Sequence, residues 1–146
     1  MVFHFKMKRR EFLKDGCSLC LALSGGAFLL SALDSCTPIP IFRAQSENHR
    51  VKIPLQKFTD VGYLIVRPSD YSYDVAVLKT NDEYKAFIMK CTHADNPVKF
   101  DGIEFRCNLH GSVFDKTGKV EKGPAEKPLF ILQTMKQDDY LIVSLI

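Results

Sequence analysis

Short runs of apolar residues, separated by polar turns, fill the chain from about residue 50 onwards and predict β-strands. The runs are rich in β-branched and aromatic residues, and turn sequences such as TDVG, PSD and TND lie between them. No stretch of ten or more residues shows a helical period of apolar positions. Six strands are predicted in this way, at residues 51–58, 62–68, 74–80, 84–90, 129–135 and 140–146.

Two parts of this pattern have the spacing of β-hairpins. Asp101-Gly102 lies between VKF and IEFRC, and an Asp-Gly pair between such runs is the strongest short hairpin signal. The last two predicted strands are separated only by KQDD and form a second candidate hairpin. We therefore assign the fold class as all-β and expect a small antiparallel β-sandwich or barrel over residues 50–146.

A different pattern occupies the N-terminus. The basic stretch KRREFLK at residues 8–14 precedes an apolar run without charge at residues 16–33. This order is typical of an export signal, and the adjacent Arg9 and Arg10 resemble a twin-arginine signal. We predict that residues 1–36 are an export signal or an uncleaved signal anchor. A purely cytoplasmic N-terminal helix is the alternative.

The residues after this run bear on membrane attachment. LDSC at residues 33–36 resembles a lipoprotein cleavage box, in which Cys36 would carry the lipid. Residues 37–49 contain two prolines and no clear periodicity, so we predict a tether between the anchor and the domain. Either mode of attachment predicts an extracytoplasmic location, periplasmic or on the outer face of the cell membrane.

Composition and charge narrow the class of protein. The chain has 146 residues, enough for one ordinary domain, and is 46% hydrophobic, 11% aromatic and 25% charged. The formal net charge is +3, but five of the basic residues lie in residues 1–36. The remainder is close to neutral and has no basic footprint, so no nucleic acid is expected as a partner.

Two Cys-and-His pairs carry the candidate chemistry. One residue separates Cys91 from His93, and two residues separate Cys107 from His110. The predicted hairpin at Asp101-Gly102 would bring the two pairs side by side. Thiolates and imidazoles bind zinc or iron, although structural zinc sites commonly draw Cys pairs and His pairs from separate elements. A disulfide between the two cysteines is a third interpretation.

The pattern C-x-H followed by C-x-x-H resembles the Rieske [2Fe-2S] motif. CNLHGSVFD at residues 107–115 is similar to the second cluster loop of that family, and GKVEKGPAEKPL at residues 118–129 is similar to the segment that covers the cluster. The resemblance extends over roughly residues 51–146. It implies a β-sandwich with a cluster-binding subdomain of two loops, and one Rieske-type [2Fe-2S] cluster per chain. The residues implied as metal ligands are Cys91, His93, Cys107 and His110.

The resemblance also implies how neighbouring residues tune the cluster. Ser112 matches a hydroxyl that hydrogen-bonds a bridging sulfide, whereas Phe114 stands where high-potential members have Tyr. Neither loop has the additional Cys that forms a disulfide in the Rieske proteins of cytochrome bc complexes, and Leu109 stands at one of those positions. With one hydrogen-bond donor present and one absent, we predict a potential inside the window of about −150 to +300 mV and below its upper end.

The functional expectation is electron transfer without an independent catalytic site. The sequence has no two-His-one-carboxylate iron motif and no Gly-rich loop after a strand for nicotinamide or flavin. We expect a membrane-tethered, extracytoplasmic carrier whose redox partners dock at the His tip, as a subunit or partner of a larger oxidoreductase. Arsenite oxidase small subunits resemble it in layout.

Two alternatives stay open at this point. The first is a quinol-oxidising Rieske subunit of a cytochrome bc-type complex, against which the short tether and the absent disulfide count. The second belongs to another class and is a non-redox domain, either zinc-binding or stapled by a disulfide.

Overall fold

β-Strands make up nearly all the regular structure in residues 39–146, the part of the chain that the computed structural model describes. A single 3-10 turn, Leu55–Phe58, follows the third strand. The strands in chain order are β1 (Ile41–Ala44), β2 (Ser46–Glu47), β3 (Arg50–Pro54), β4 (Tyr63–Pro68), β5 (Val75–Thr80), β6 (Glu83–Ile88), β7 (Lys99–Phe100), β8 (Glu104–Arg106), β9 (Val113–Asp115), β10 (Val120–Lys122), β11 (Ile131–Leu132), β12 (Thr134–Gln137) and β13 (Tyr140–Ser144).

These strands form three sheets. The central sheet has the order β1-β4-β5-β6-β11, the terminal sheet β12-β13-β3-β2, and the site sheet β10-β9-β8-β7. Strand β1 runs parallel to β4, and the other pairs are antiparallel. The fold is therefore an all-β arrangement of mostly antiparallel sheets, which confirms the predicted class.

Side chains of the central sheet alternate between two buried cores because successive residues of a strand point to opposite faces. In β4, Leu64 and Val66 belong to the first core, whereas Ile65 belongs to the second. The first core joins the central and terminal sheets, and the second joins the central and site sheets. Both faces of β4, β5 and β6 are covered, which explains why these strands read as almost continuous apolar runs.

Both predicted hairpins are present. In the first, β7 pairs with β8 around Asp101 and Gly102, and Gly102 adopts a φ of 99°. The Asp101 carboxylate accepts hydrogen bonds from the backbone N–H groups of Ile103 and Glu104, at 2.9 and 3.0 Å. In the second hairpin, β12 pairs with β13 in the register Gln137 to Tyr140. Turn chemistry therefore located both hairpins correctly.

Three details differ from the expectation. Residues 41–47, placed in the tether, instead form β1 and β2, because β1 finds a distant partner in β4 that local sequence does not reveal. The run 51–58 stops being a strand at Pro54, and the 3-10 turn follows. The run 129–135 divides between two sheets, since β11 pairs with β6 and β12 pairs with β13.

The interpretations of the N-terminus concern residues outside the described part of the chain. They include the export signal, the twin-arginine pair and the acylation of Cys36. Between residues 39 and 146, no helix is long and apolar enough to cross a membrane.

Candidate metal centre

The first candidate ligand loop, residues 91–96, is a turn closed by two backbone hydrogen bonds. The N–H of Asp95 donates to the carbonyl of Cys91 at 2.9 Å, and the N–H of Cys91 donates to the carbonyl of Asn96 at 2.7 Å. Asp95 adopts a positive φ of 57°. Cys91 thus begins the turn, and His93 occupies its third position.

The second loop, residues 107–112, repeats this backbone pattern. The N–H of Gly111 donates to the carbonyl of Cys107 at 3.0 Å, and the N–H of Cys107 donates to the carbonyl of Ser112 at 2.9 Å. Gly111 has a φ of 78°, matching the positive φ of Asp95. Here His110 occupies the fourth position. The two different Cys-His spacings are therefore two placements of His on one kind of turn.

The two loops bring their histidines together at the surface. The His93 and His110 rings are 4.9 Å apart between centroids and nearly perpendicular, at 89°. Both histidines are exposed, whereas Cys91 and Cys107 are each 1% exposed and belong to the second core. The two pairs lie side by side, as the predicted hairpin implied, and the structure adds that the two thiols are on the inside and the two imidazoles on the outside.

A third loop, residues 123–129, contacts both of these loops. The N–H of Ala125 donates to Ser112 Oγ at 3.0 Å, and Thr92 Oγ1 donates to the carbonyl of Lys127 at 2.6 Å. Leu129 closes the base of the loop through a bond from its N–H to the carbonyl of Gly118, at 2.8 Å. The family resemblance implied that this segment covers the site. The sequence did not reveal the Thr92 contact, because nothing in the local pattern distinguishes this Thr from a solvated one.

Ser112, the predicted tuning residue, is completely buried at 0% exposure. Its oxygen accepts the bond from Ala125, and a hydroxyl that accepts still has its own proton to donate. Phe114 is also 0% exposed and has no polar atom to contribute, whereas Leu109 lies at the surface with 62% exposure. One buried hydroxyl donor is thus available beside the candidate ligands.

The donor set fits a two-iron cluster. Such a cluster takes two protein ligands per iron, thiolates on one and imidazoles on the other in the Rieske type. Cys91 and Cys107 are free thiols and are not joined by a disulfide. Within residues 39–146, no group of three or more His, Cys, Asp or Glu side chains is close enough together to hold one metal ion. The chain thus offers two pairs of candidate ligands: the buried thiols of Cys91 and Cys107, and the exposed imidazoles of His93 and His110.

Charged and aromatic groups support the first loop from the side of the central sheet. Lys90 Nζ lies 3.0 Å from a carboxylate oxygen of Asp95, and this hydrogen bond raises the pKa of Lys90 above its ordinary value. The Tyr73 hydroxyl donates to the carbonyl of Asp95 at 2.8 Å. Sequence reasoning missed both contacts, since Tyr73 precedes the loop by about twenty residues and no motif connects them.

Comparison with known protein families identifies this arrangement. A model of the Rieske [2Fe-2S] domain matches residues 60–136. A cytochrome b6-f complex iron-sulfur subunit 2 of Nostoc sp. (strain PCC 7120 / SAG 25.82 / UTEX 2576) is 44% identical over 54 residues, covering 37% of this chain and 29% of that protein. The cytochrome b6-f complex iron-sulfur subunit of Gloeobacter violaceus is 36% identical over 56 residues, covering 37% and 30%. The matches thus span less than a third of these relatives.

Among solved structures, the chain is similar to the cyanobacterial plasma membrane Rieske protein PetC3 from Synechocystis PCC 6803. The identity is 29% and the TM-score 0.48, over 57% of this chain and 86% of that one.

The family model spans more than half of the sequence, and it includes both ligand loops and the third loop. The chain therefore belongs to the Rieske [2Fe-2S] domain family, and its cofactor is a Rieske-type [2Fe-2S] cluster that serves electron transfer.

Proposed function

We propose that this chain is the electron-transfer subunit of a quinol-oxidising complex of the cytochrome bc type, the class that includes cytochrome b6-f. The observation that carries the proposal is the pair of exposed imidazoles, His93 and His110, at 4.9 Å on one tip. The curated relatives that are subunits of cytochrome b6-f complexes support this class over the other oxidoreductases expected from the sequence.

We assign the thiolates of Cys91 and Cys107 to one iron and the imidazoles of His93 and His110 to the other. When bound, the cluster accepts and releases one electron. The buried thiolates keep one side of the site away from water, because both cysteines lie in the second core. The two histidines present the other side to a partner.

The His tip, residues 92–94 and 108–110, has no formal charge, and this suits docking into a largely apolar cavity. Thr92, His93 and Ala94 of the first loop and Asn108, Leu109 and His110 of the second carry no formal charge. An uncharged surface loses less hydration free energy on docking than a charged one. Each imidazole that binds metal through one nitrogen keeps the other nitrogen for a hydrogen bond, and the quinol hydroxyl is such a partner.

We further propose an extracytoplasmic location with attachment to the membrane. The support is the sequence of residues 1–36, with its basic start, its uncharged apolar run and Cys36 at its end. Attachment would keep the tip within reach of membrane-embedded partners, through either a signal anchor or a lipidated Cys36.

A second candidate is electron transfer within an oxidoreductase that does not use quinol. The observation in its favour is that Cys91 and Cys107 are the sole cysteines of residues 39–146. The loops therefore lack the additional Cys pair associated with Rieske proteins of cytochrome bc complexes.

Isolation of the tagged full chain from its native membrane distinguishes the two candidates. The proposed function predicts that a cytochrome b accompanies the chain and that added quinol reduces the cluster, read from the reduced-state signal of the cluster. A Cys107→Ser variant, which loses one proposed ligand, serves as the control and should show no such signal. Isolation with another oxidoreductase, and no reduction by quinol, would contradict the quinol role and support the second candidate.

A further inference from the structure

We infer that Tyr73 is a positioning residue that fixes the first ligand loop through the backbone of Asp95. The inference rests on the proposed role of Cys91 and His93 as ligands. Tyr73 precedes β5 and thus ties the loop to the central sheet.

The need for such an anchor follows from the difference between the two matching turns. The second loop places Gly111 at the positive-φ position, where a residue without Cβ has no steric penalty. The first loop places Asp95 at the equivalent position, with a φ of 57°. A side chain makes the left-handed conformation less favourable, although Asp tolerates it better than most residues. Contacts from outside the turn must therefore help to hold Asp95.

Two contacts of this kind meet at Asp95. The Tyr73 hydroxyl donates to its carbonyl at 2.8 Å, and Lys90 Nζ pairs with its carboxylate at 3.0 Å. The same ammonium lies 5.5 Å from the centroid of the Tyr73 ring, within the range of a cation–π contact. Tyr73, Lys90 and Asp95 thus form one network between the central sheet and the loop.

Tyr73 is itself held in place from two directions. Its ring packs edge-on against Tyr71, with centroids 6.5 Å apart. The next residue, Asp74, accepts two hydrogen bonds from the Arg67 guanidinium, at 2.9 and 2.6 Å. This two-point contact fixes the segment before β5 to β4. These contacts hold the backbone and the ring of Tyr73 in place against the central sheet.

The position of Asp95 determines the position of the proposed ligands because its N–H closes the turn on the carbonyl of Cys91. If Asp95 moves, the ring of residues 91–95 opens and His93 loses its fixed place. In the second loop, by contrast, no side chain of residues 39–146 hydrogen-bonds the backbone of residues 108–111. The first loop is therefore the half of the site whose geometry depends on a distant side chain.

The test is Tyr73→Phe in the full chain, with Tyr71→Phe as the matched control. Both substitutions remove one hydroxyl from the same aromatic pair, but the Tyr71 hydroxyl makes no hydrogen bond within residues 39–146. Three quantities are measured: amide hydrogen exchange of Asp95, the rate of iron release to a chelator, and the line width of the reduced-state electron paramagnetic resonance (EPR) spectrum.

We expect Tyr73→Phe to accelerate both Asp95 exchange and iron release about fivefold, the factor that corresponds to one ordinary hydrogen bond. The EPR lines should broaden, because a loosened His93 samples several geometries. Tyr71→Phe should change either rate by less than about twofold. Asp95→Asn, which removes the charge of the Asp95 side chain, should also have a small effect, since this side chain is 69% exposed and ion pairs open to solvent contribute little.

Equal rates for Tyr73→Phe and Tyr71→Phe would overturn the inference. Failure of the quinol role alone changes none of the three quantities. Failure of the proposed ligand role of Cys91 and His93 has a separate signature, namely wild-type protein without iron and acid-labile sulfide. In that event the Asp95 exchange rate, read on the same chain, still decides whether Tyr73 anchors the loop.

Discussion

At the scale of single residues, Ser112 has an unusual environment. It is the one fully buried polar side chain in the part of the chain that the structure describes, and it lies between the second and third loops. Because its oxygen already accepts from Ala125, its proton is free to donate to a cluster sulfur. Such a bond stabilises the reduced, more negative state and raises the potential.

We predict that Ser112→Ala lowers the midpoint potential. A hydrogen bond that favours the reduced state by about 1.5 kcal/mol corresponds to roughly 65 mV for one electron. The substitution also leaves the Ala125 N–H without its acceptor, which should cost about 1–3 kcal/mol of stability. Voltammetry measures the first effect and denaturant unfolding the second. Ser72→Ala, at an exposed position, is the control, and an unchanged potential in Ser112→Ala would contradict the tuning role.

At the scale of elements, the turn between β9 and β10 packs closely against the central sheet at Gly118. Gly118 has a φ of 82°, and a Cβ at this position would lie 2.7 Å from the Phe87 ring. Phe87 is 0% exposed and packs at 5.5 Å against Phe105 of the site sheet. The absence of a side chain at Gly118 therefore permits close packing of the two sheets.

Gly118→Ala should destabilise the domain by about 2 kcal/mol or more, because steric overlap in the core adds to backbone strain. Gly62→Ala is the matched control, since a Cβ added there would meet no atom within 4 Å and the φ of Gly62 is not positive. Urea unfolding of both variants measures the difference. Equal stabilities would contradict the packing argument.

The same turn has a pH-dependent contribution to stability. Partial burial pulls the pKa of Asp115 upward, but hydrogen bonds from Thr117 and from the backbone of Lys119 outweigh it and hold the pKa below its usual value. A carboxyl with a depressed folded-state pKa stabilises the protein above the unfolded-state pKa, near 3.9, and loses this contribution as pH falls through the folded-state pKa.

We therefore expect Asp115→Asn to lower stability at neutral pH and to weaken the acid dependence below about pH 4. Thermal melting across pH 3 to 7 measures both effects. Asp138→Asn, in the exposed β12–β13 turn, controls for the loss of one negative charge. An identical pH profile for wild type and Asp115→Asn would rule out this contribution.

Local signals predicted the elements that depend on local chemistry. The Asp101-Gly102 hairpin and the final hairpin both followed from turn residues between apolar runs. The parallel pairing of β1 with β4 could not be predicted, because it joins residues more than twenty positions apart through backbone bonds alone.

Some features of the candidate site could likewise be predicted from the sequence, and others could not. The Cys-His spacing predicted its four proposed ligands, and the family resemblance implied the role of Ser112. The shared turn of the two loops and the Tyr73 contact to Asp95 became visible only in three dimensions, because a positive φ at an Asp has no sequence signature.

At the scale of the whole molecule, the proposed docking of a partner at the His tip can be tested separately from folding. Leu109 and Ile103 are both exposed, at 62% and 74%. Leu109 adjoins His110, whereas Ile103 lies in the β7–β8 turn, at the opposite end of β8 from Cys107. The two residues thus offer a matched pair of apolar surface positions.

Leu109→Asp should slow electron exchange with the native partner at least tenfold, because a charge at the docking surface must be desolvated. Ile103→Asp should leave the rate within about twofold of wild type. Stopped-flow mixing with the isolated partner complex measures both rates. Equal slowing by the two substitutions would argue against docking at the His tip.

The most direct test of the central claim is the EPR spectrum of the reduced, anaerobically purified full chain. Two imidazoles on one iron and two thiolates on the other predict a rhombic signal with a low average g-value, integrating to about one spin per chain. A silent spectrum, or the signal of a cluster held only by cysteines, would contradict the assignment of Cys91, His93, Cys107 and His110 as its ligands.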